Sequence, residues 1–187
     1  ALGEGNRMDV LGRVFFPHSL GILYEAVTQF LGFENYGDEY KVMGLAPYGE
    51  PRYVDKLKDV LVFEKNGLFS LNLRYFRSAK HGIVSYGEDH IPKVAPLFSE
   101  YMVEKFGQPR KKSEELTQYH KDLGASVQRI TEELVFHLLN HLQKRTGLKQ
   151  VCIAGGVAQN SVANGKITRN TSFEKVYIPS AGHDAGI

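Results

Sequence analysis

The chain has 187 residues, 42% of them hydrophobic and 24% charged, with 23 Lys and Arg against 21 Asp and Glu. Charge this evenly balanced leaves no strong field to hold a polyanion or an acidic membrane, so neither nucleic acid nor a membrane surface is an expected partner. The single cysteine, Cys152, excludes an intramolecular disulfide and a multi-thiolate metal site, and no long apolar run offers a membrane span, so a soluble, cytoplasmic protein is expected.

Residues 8–16, rich in branched and aromatic side chains, predict a strand stopped at Pro17. Leu20, Leu23, Tyr24, Val27, Phe30 and Leu31 then recur at helical spacing between Ser19, which can cap a helix, and Gly32, which can end one. Residues 37–53 change to Gly, Pro and Tyr and read as a positioned loop. Residues 54–112 alternate strand-like pieces with turns, and their basic end, Gln108-Pro-Arg-Lys-Lys112, reads as a solvated loop without a role. From Ser113 to Gly147 a long helix is predicted, with Leu116, Tyr119, Leu123, Val127, Ile130, Leu134, Leu138 and Leu142 as its apolar stripe. A strand at 150–154, a Gly155-Gly156 turn, a helix from Val157 to about Arg169 and a strand at 175–178 follow. Long helix, strand, helix and strand in this order predict an α/β layer with at least partly parallel strands.

The Gly155-Gly156 turn has the physical ingredients of a nucleotide site. Glycines let a ligand approach the backbone, the first turn of a helix offers free N–H groups, and Asn160 adds an amide to the same region. A tight connection in which the glycines only permit close packing explains the same residues. His137 and His141 stand one helical turn apart, a spacing that can clamp a metal, but they flank the apolar stripe and read as the edge of a buried face. His183-Asp184, between small residues after a strand, can direct a carboxylate at a metal, and an Asp capping a further helix accounts for it equally well.

In order along the chain, the segments Phe16-Pro-His-Ser-Leu-Gly-Ile-Leu-Tyr-Glu-Ala-Val-Thr-Gln-Phe-Leu-Gly-Phe33, Glu39-Tyr-Lys-Val-Met-Gly-Leu-Ala-Pro-Tyr-Gly49, Ala154-Gly-Gly-Val-Ala-Gln-Asn160 and Gly182-His-Asp-Ala-Gly186 resemble the motifs of the nodulation-type O-carbamoyltransferases. Antibiotic carbamoyltransferases acting on tobramycin and cephamycin belong to that family. Ser126-Val-Gln128 and Gln108-Pro-Arg110 fit it as well. The resemblance implies an α/β fold of the actin, sugar-kinase and heat-shock-chaperone superfamily, built from ribonuclease-H-like lobes around a nucleotide cleft. It implies ATP or carbamoyladenylate and a divalent metal, iron by the same resemblance, as cofactors.

The chain is expected to be incomplete, the C-terminal part of such a transferase domain over residues 1–187 with an irregular insertion at 51–112, and inactive by itself. A preceding part and a carbamoyladenylate-forming domain of the same protein, a donor made from carbamoyl phosphate and a hydroxylated small-molecule acceptor are the implied partners. Carried onto this sequence, Gly155, Gly156 and Asn160 would line the adenosine pocket, Gly21 and Glu25 would face the nucleotide, and Asp184 would be a metal ligand. Lys41, His18 and Ser19 are candidates for contacting phosphate, carbamoyl or acceptor. A related tRNA threonylcarbamoyl transferase or small-molecule kinase is the alternative, as is a non-catalytic nucleotide-binding lobe. The last is motivated by the absence of the family's paired His ligands, since His137 and His141 fall elsewhere.

Overall fold

The computed structural model describes residues 1–35, 37–77, 84–86 and 92–182. An antiparallel hairpin opens the chain, β1 (Leu2–Glu4) against β2 (Arg7–Asp9). The strand expected over 8–16 is therefore corrected: beyond Asp9 those residues form no ladder, and Met8, Val10, Phe15 and Phe16 are exposed. Branched and aromatic residues favour a strand only where a neighbouring strand offers packing, and among the described residues none does so here.

Helix α1 (Leu20–Phe30) forms as its spacing predicts, with Ser19 Oγ accepting from Ile22 N and with Gly32 at φ 77° beyond its end. The loop expected over 37–53 is largely helical instead, as α2 (Glu39–Leu45) and a 3₁₀ turn (Ala46–Tyr48). Pro47 signals a loop by composition, yet it stands in the first turn of that 3₁₀ helix, where no N–H is needed. Gly49 is present for close approach: a Cβ there would lie 2.1 Å from the Lys121 carbonyl oxygen. Helix α3 (Val54–Lys58) leads into the hairpin of β3 (Leu61–Phe63) and β4 (Phe69–Leu71), the two strand-like pieces read from the sequence. A second hairpin pairs β5 (Val84–Tyr86) with β6 (Pro92–Val94), and α4 spans Glu100–Phe106. Residues 51–112 share the main core, because Leu57, Leu61, Leu71, Tyr75, Met102 and Phe106 pack in one cluster with α1 and the long helix.

The long helix α5 (Gln118–Thr146) starts five residues later than expected from Ser113. Thr117 is its cap, in a reciprocal capping box with His120, and Gly147 ends it at φ 69°. The delayed start is linked to a second correction. Arg110, read as part of a solvated basic loop, is buried and donates to the carbonyls of Leu31 (2.6 Å), Lys111 (3.2 Å) and Glu114. It thereby satisfies carbonyls at the end of α1 and winds residues 110–114 around its guanidinium, a place where a cation is favoured by the helix dipole.

Helix α5 is also more than amphipathic. From Asp122 to Glu132 only Arg129 is exposed, so the helix runs through the middle of the molecule and its polar residues are buried with the apolar ones. Strand β7 (Gln150–Cys152) pairs parallel with β8 (Lys175–Tyr177), which meets the expectation of parallel strands, whereas the other described sheets are antiparallel hairpins. The single helix expected from Val157 to Arg169 is broken into a 3₁₀ turn (Gly156–Gln159), α6 (Ser161–Asn164) and α7 (Ile167–Asn170). Asn160 Oδ1 accepts from Ala163 N and Asn164 Nδ2 donates to Ala158 O, so side-chain amides replace backbone bonds at the breaks. Among the described residues no helix is long and apolar enough to cross a membrane.

Candidate functional site

A cavity of about 580 Å³ opens where the start of α1, helix α2 and the Gly156–Asn160 segment meet. Ser19, Gly21 and Glu25 line it from α1, Glu39, Tyr40 and Met43 from α2, and Gly156, Gln159 and Asn160 from the turn after β7, with Val94 and Leu97 closing it. Its size is that of a small-ligand pocket, with apolar walls and a few polar groups.

The turn after β7 is held from behind. Ile153 N donates to Tyr177 O at 3.0 Å and Gly155 N to Gly182 O at 2.7 Å, so both parallel strands contribute to its position. Gly155 has φ 103°, a conformation that only glycine adopts without strain. At Gly156 no described atom lies within 4 Å of where a Cβ would stand, and the residue faces the cavity. Close packing among the described residues therefore does not explain this glycine. Gly21 has less room, since an added Cβ would lie 3.5 Å from Ser19 Oγ and 3.7 Å from Val157 Cγ2.

On the opposite wall stand two carboxyls. Burial, then a hydrogen bond to Glu39 and the charges of Glu39 and Asp38, push Glu25 up to about 8. At neutral pH the Glu25 carboxyl is therefore favoured in its protonated form. Burial raises the Tyr24 phenol further above its ordinary range, helped by the charges of Glu39 and Glu132.

Behind the cavity runs a hydrogen-bonded chain. Tyr24 Oη donates to Gln128 Oε1 (3.0 Å), and Gln128 and Asn160 exchange two amide bonds, at 3.1 Å and 2.9 Å. Gln128 Nε2 also donates to Glu132 Oε1 (3.0 Å), which accepts from Lys166 Nζ (2.6 Å). Gln128 and Glu132 are 4% and 3% exposed, so burying them is tolerable only because each is satisfied.

Of the residues proposed from sequence, Ser19, Gly21, Glu25, Gly156 and Asn160 come together around the cavity, and Gly155 fixes its turn. His18 and Lys41 are not among its lining residues. His18 Nδ1 accepts from Leu71 N at 3.0 Å, which fastens the start of α1 to β4. Lys41 is paired with Asp38 at 2.6 Å. Burial opposes ionisation of Asp38, but hydrogen bonds from Lys41 and Asn35 outweigh it and hold its carboxyl below the usual range. His183 and Asp184 lie outside the described residues.

His137 and His141 serve the fold, as their place beside the stripe suggests. His137 Nε2 meets Glu64 O at 3.1 Å, and a Cβ at Gly67 would strike the His141 ring. Both seat the β3–β4 hairpin. Among the described residues no group of three or more His, Cys, Asp and Glu side chains is arranged to hold a metal ion. Sequence reading gave no role to Tyr24, Glu39, Glu132 or Lys166 and none beyond a motif to Gln128. The available signal was Gln128 and Glu132, two polar residues one turn apart beside the apolar stripe of Val127, Ile130 and Leu134.

The sequence of the chain is similar to that of known proteins. The pattern described as Carbamoyltransferase N-terminus matches residues 2–187. An uncharacterized protein of Synechocystis, sll1178, is 43% identical over 98% of this chain and 28% of its own length. The nodulation protein NolO of Bradyrhizobium diazoefficiens is 36% identical over 100% of this chain and 30% of its own. For the nodulation protein NolNO of Sinorhizobium fredii the figures are 35%, 100% and 24%. The chain thus spans between about a quarter and a third of the length of these relatives.

Proposed function

The chain belongs to the carbamoyltransferase N-terminus family, and from that premise we propose that its cavity holds the adenine-nucleotide part of a carbamoyl donor. The reaction served is transfer of a carbamoyl group from carbamoyladenylate, made from carbamoyl phosphate and ATP, to a hydroxyl of a small-molecule or glycan acceptor. The observation that carries this reading is the cavity itself, with an open Gly156 on one wall and the Glu25–Glu39 pair on the other. Apolar side chains such as Ile22, Met43 and Val157 suit a flat base, and the carboxyl pair suits hydroxyl donors. An arrangement of this kind, with a glycine turn facing a cleft, agrees with a lobe of the actin and sugar-kinase superfamily.

In such a transfer the rate comes mainly from holding donor and alcohol in register and from stabilising charge on the leaving phosphate. Ser19 at the start of α1 and the backbone N–H of Gly156, which both line the cavity, are the groups we assign to that phosphate or the carbamoyl oxygen. Burial in an apolar cavity excludes water that would hydrolyse the donor. A divalent metal would polarise the carbonyl or acidify the alcohol. The described residues do not assemble a site for it, so no step is assigned to it.

Titration calorimetry of the full chain with ADP tests the reading. Saturable binding, weakened at least tenfold by Gly156→Val, is expected; absence of binding to the unaltered chain would sink it. Product analysis with tRNA and with a hydroxylated metabolite as acceptors separates it from the threonylcarbamoyl alternative.

A further inference from the structure

The hydrogen-bonded chain behind the cavity has a direction, and its two ends fix it. At one end Asn160 Oδ1 accepts from the backbone N–H of Ala163 at 3.0 Å, and a backbone N–H can only donate. The Asn160 amide is therefore oriented with Nδ2 toward Gln128 Oε1 (2.9 Å). At the other end Lys166 Nζ, which also can only donate, lies 2.6 Å from Glu132 Oε1, so Glu132 is an acceptor and Gln128 must present Nε2 to it. Both ends require the same orientation of the Gln128 amide. With Oε1 accepting from Asn160 and Tyr24, and Nε2 donating to Asn160 and Glu132, its capacity is exhausted.

From this we infer that Gln128, which does not line the cavity, is a positioning residue that sets the hydrogen-bond polarity of the cavity wall. Tyr24 has given its only proton to Gln128 and can meet a ligand only as an acceptor. Asn160 has both of its oxygen's bonds occupied and retains one N–H, so it presents a donor and no acceptor. At Asn160 the wall therefore takes a ligand edge that accepts, a ring nitrogen or a carbonyl or phosphate oxygen, and at Tyr24 one that donates.

The inference rests on the nucleotide reading above and is tested by a double-mutant cycle with ADP in the full chain. Gln128→Leu and Asn160→Ala should each weaken ADP by about tenfold, the loss of one buried hydrogen bond, and the double variant should lose no more than either alone. Unchanged affinity in Gln128→Leu, unchanged affinity in Asn160→Ala, or losses that multiply would overturn it. A second measurement needs neither ligand nor variant. In the NMR spectrum of the unaltered chain, both side-chain amide protons of Gln128 and one of the two on Asn160 should exchange slowly. Rapid exchange of both Asn160 protons rejects the assigned polarity even if ADP binds, whereas slow exchange without ADP binding rejects only the nucleotide reading.

Discussion

Helix α5 carries two buried polar clusters one to two turns apart, and they do opposite things. In the first, Asp122 accepts from Glu50 N (2.9 Å) and Gln118 Nε2 (2.8 Å), while Ser126 Oγ accepts from Tyr53 N (2.9 Å). Every bond there ends within α5 or on residues 50–53, and the cluster clamps the segment after α2 to the helix. In the second, Gln128 and Glu132 bond to Tyr24, Asn160 and Lys166, and the chain of bonds reaches a cavity wall with one N–H left over. Polar groups buried in a closed cluster specify how elements dock. Polar groups buried in a cluster that opens on a cavity specify what the cavity accepts.

The comparison breaks most sharply at the first cluster. Gly49→Ala would push a Cβ into the Lys121 carbonyl, 2.1 Å away, and should cost about 3 kcal/mol in a denaturant titration, with ADP affinity of the folded fraction unchanged. A loss of affinity comparable to a cavity variant would show that the two clusters are not separable.

A smaller effect tests the carboxyl pair that faces the second cluster. Because Glu25 is raised from 4.5 to about 8, the folded chain holds a proton that the unfolded chain has released, and stability must fall as pH rises through that interval. Glu25→Gln should remove about 2 kcal/mol of that fall, less than full linkage because the carboxyl is partly solvated, as read from melting curves at pH 5 and 8. An unchanged slope would place the proton elsewhere.

Lys166→Met leaves Glu132 buried without its cation, and a loss of about 1.5 kcal/mol is expected, partly recovered when Glu132 is also changed to Gln. Ser19→Ala, which removes a long 3.4 Å cap bond at the cavity mouth, should cost only about 0.5 kcal/mol in stability. A larger fall in ADP affinity than in stability would sharpen the assignment of Ser19 to the ligand.

Helix α1, the end of α5 at Gly147, the β3–β4 pieces and the parallel pair β7–β8 were legible because each is set by local spacing, capping or turn chemistry. The region after Gly37 was not, since Pro47 and Gly49 speak for a loop by composition while their actual duties, a helix first turn and a close approach to α5, depend on what lies opposite. Arg110 misled for the same reason: a basic run reads as solvated unless a helix end is known to await it. Ser19, Gly21, Glu25, Gly156 and Asn160 were found as separate motifs, whereas His18, equally prominent, bonds to β4 and Lys41 pairs with Asp38 at the start of its own helix.

By itself the sequence determined the family, the order of most elements and the glycine turn, because motifs and periodicities are written in residue types and intervals along one line. Only the tertiary structure decided which motif residues share a cavity, which way the Gln128 amide points and why α5 tolerates Asp122 and Glu132 in its interior. Those facts depend on donors and acceptors brought together from distant positions, and burial raises the consequence of every such pairing.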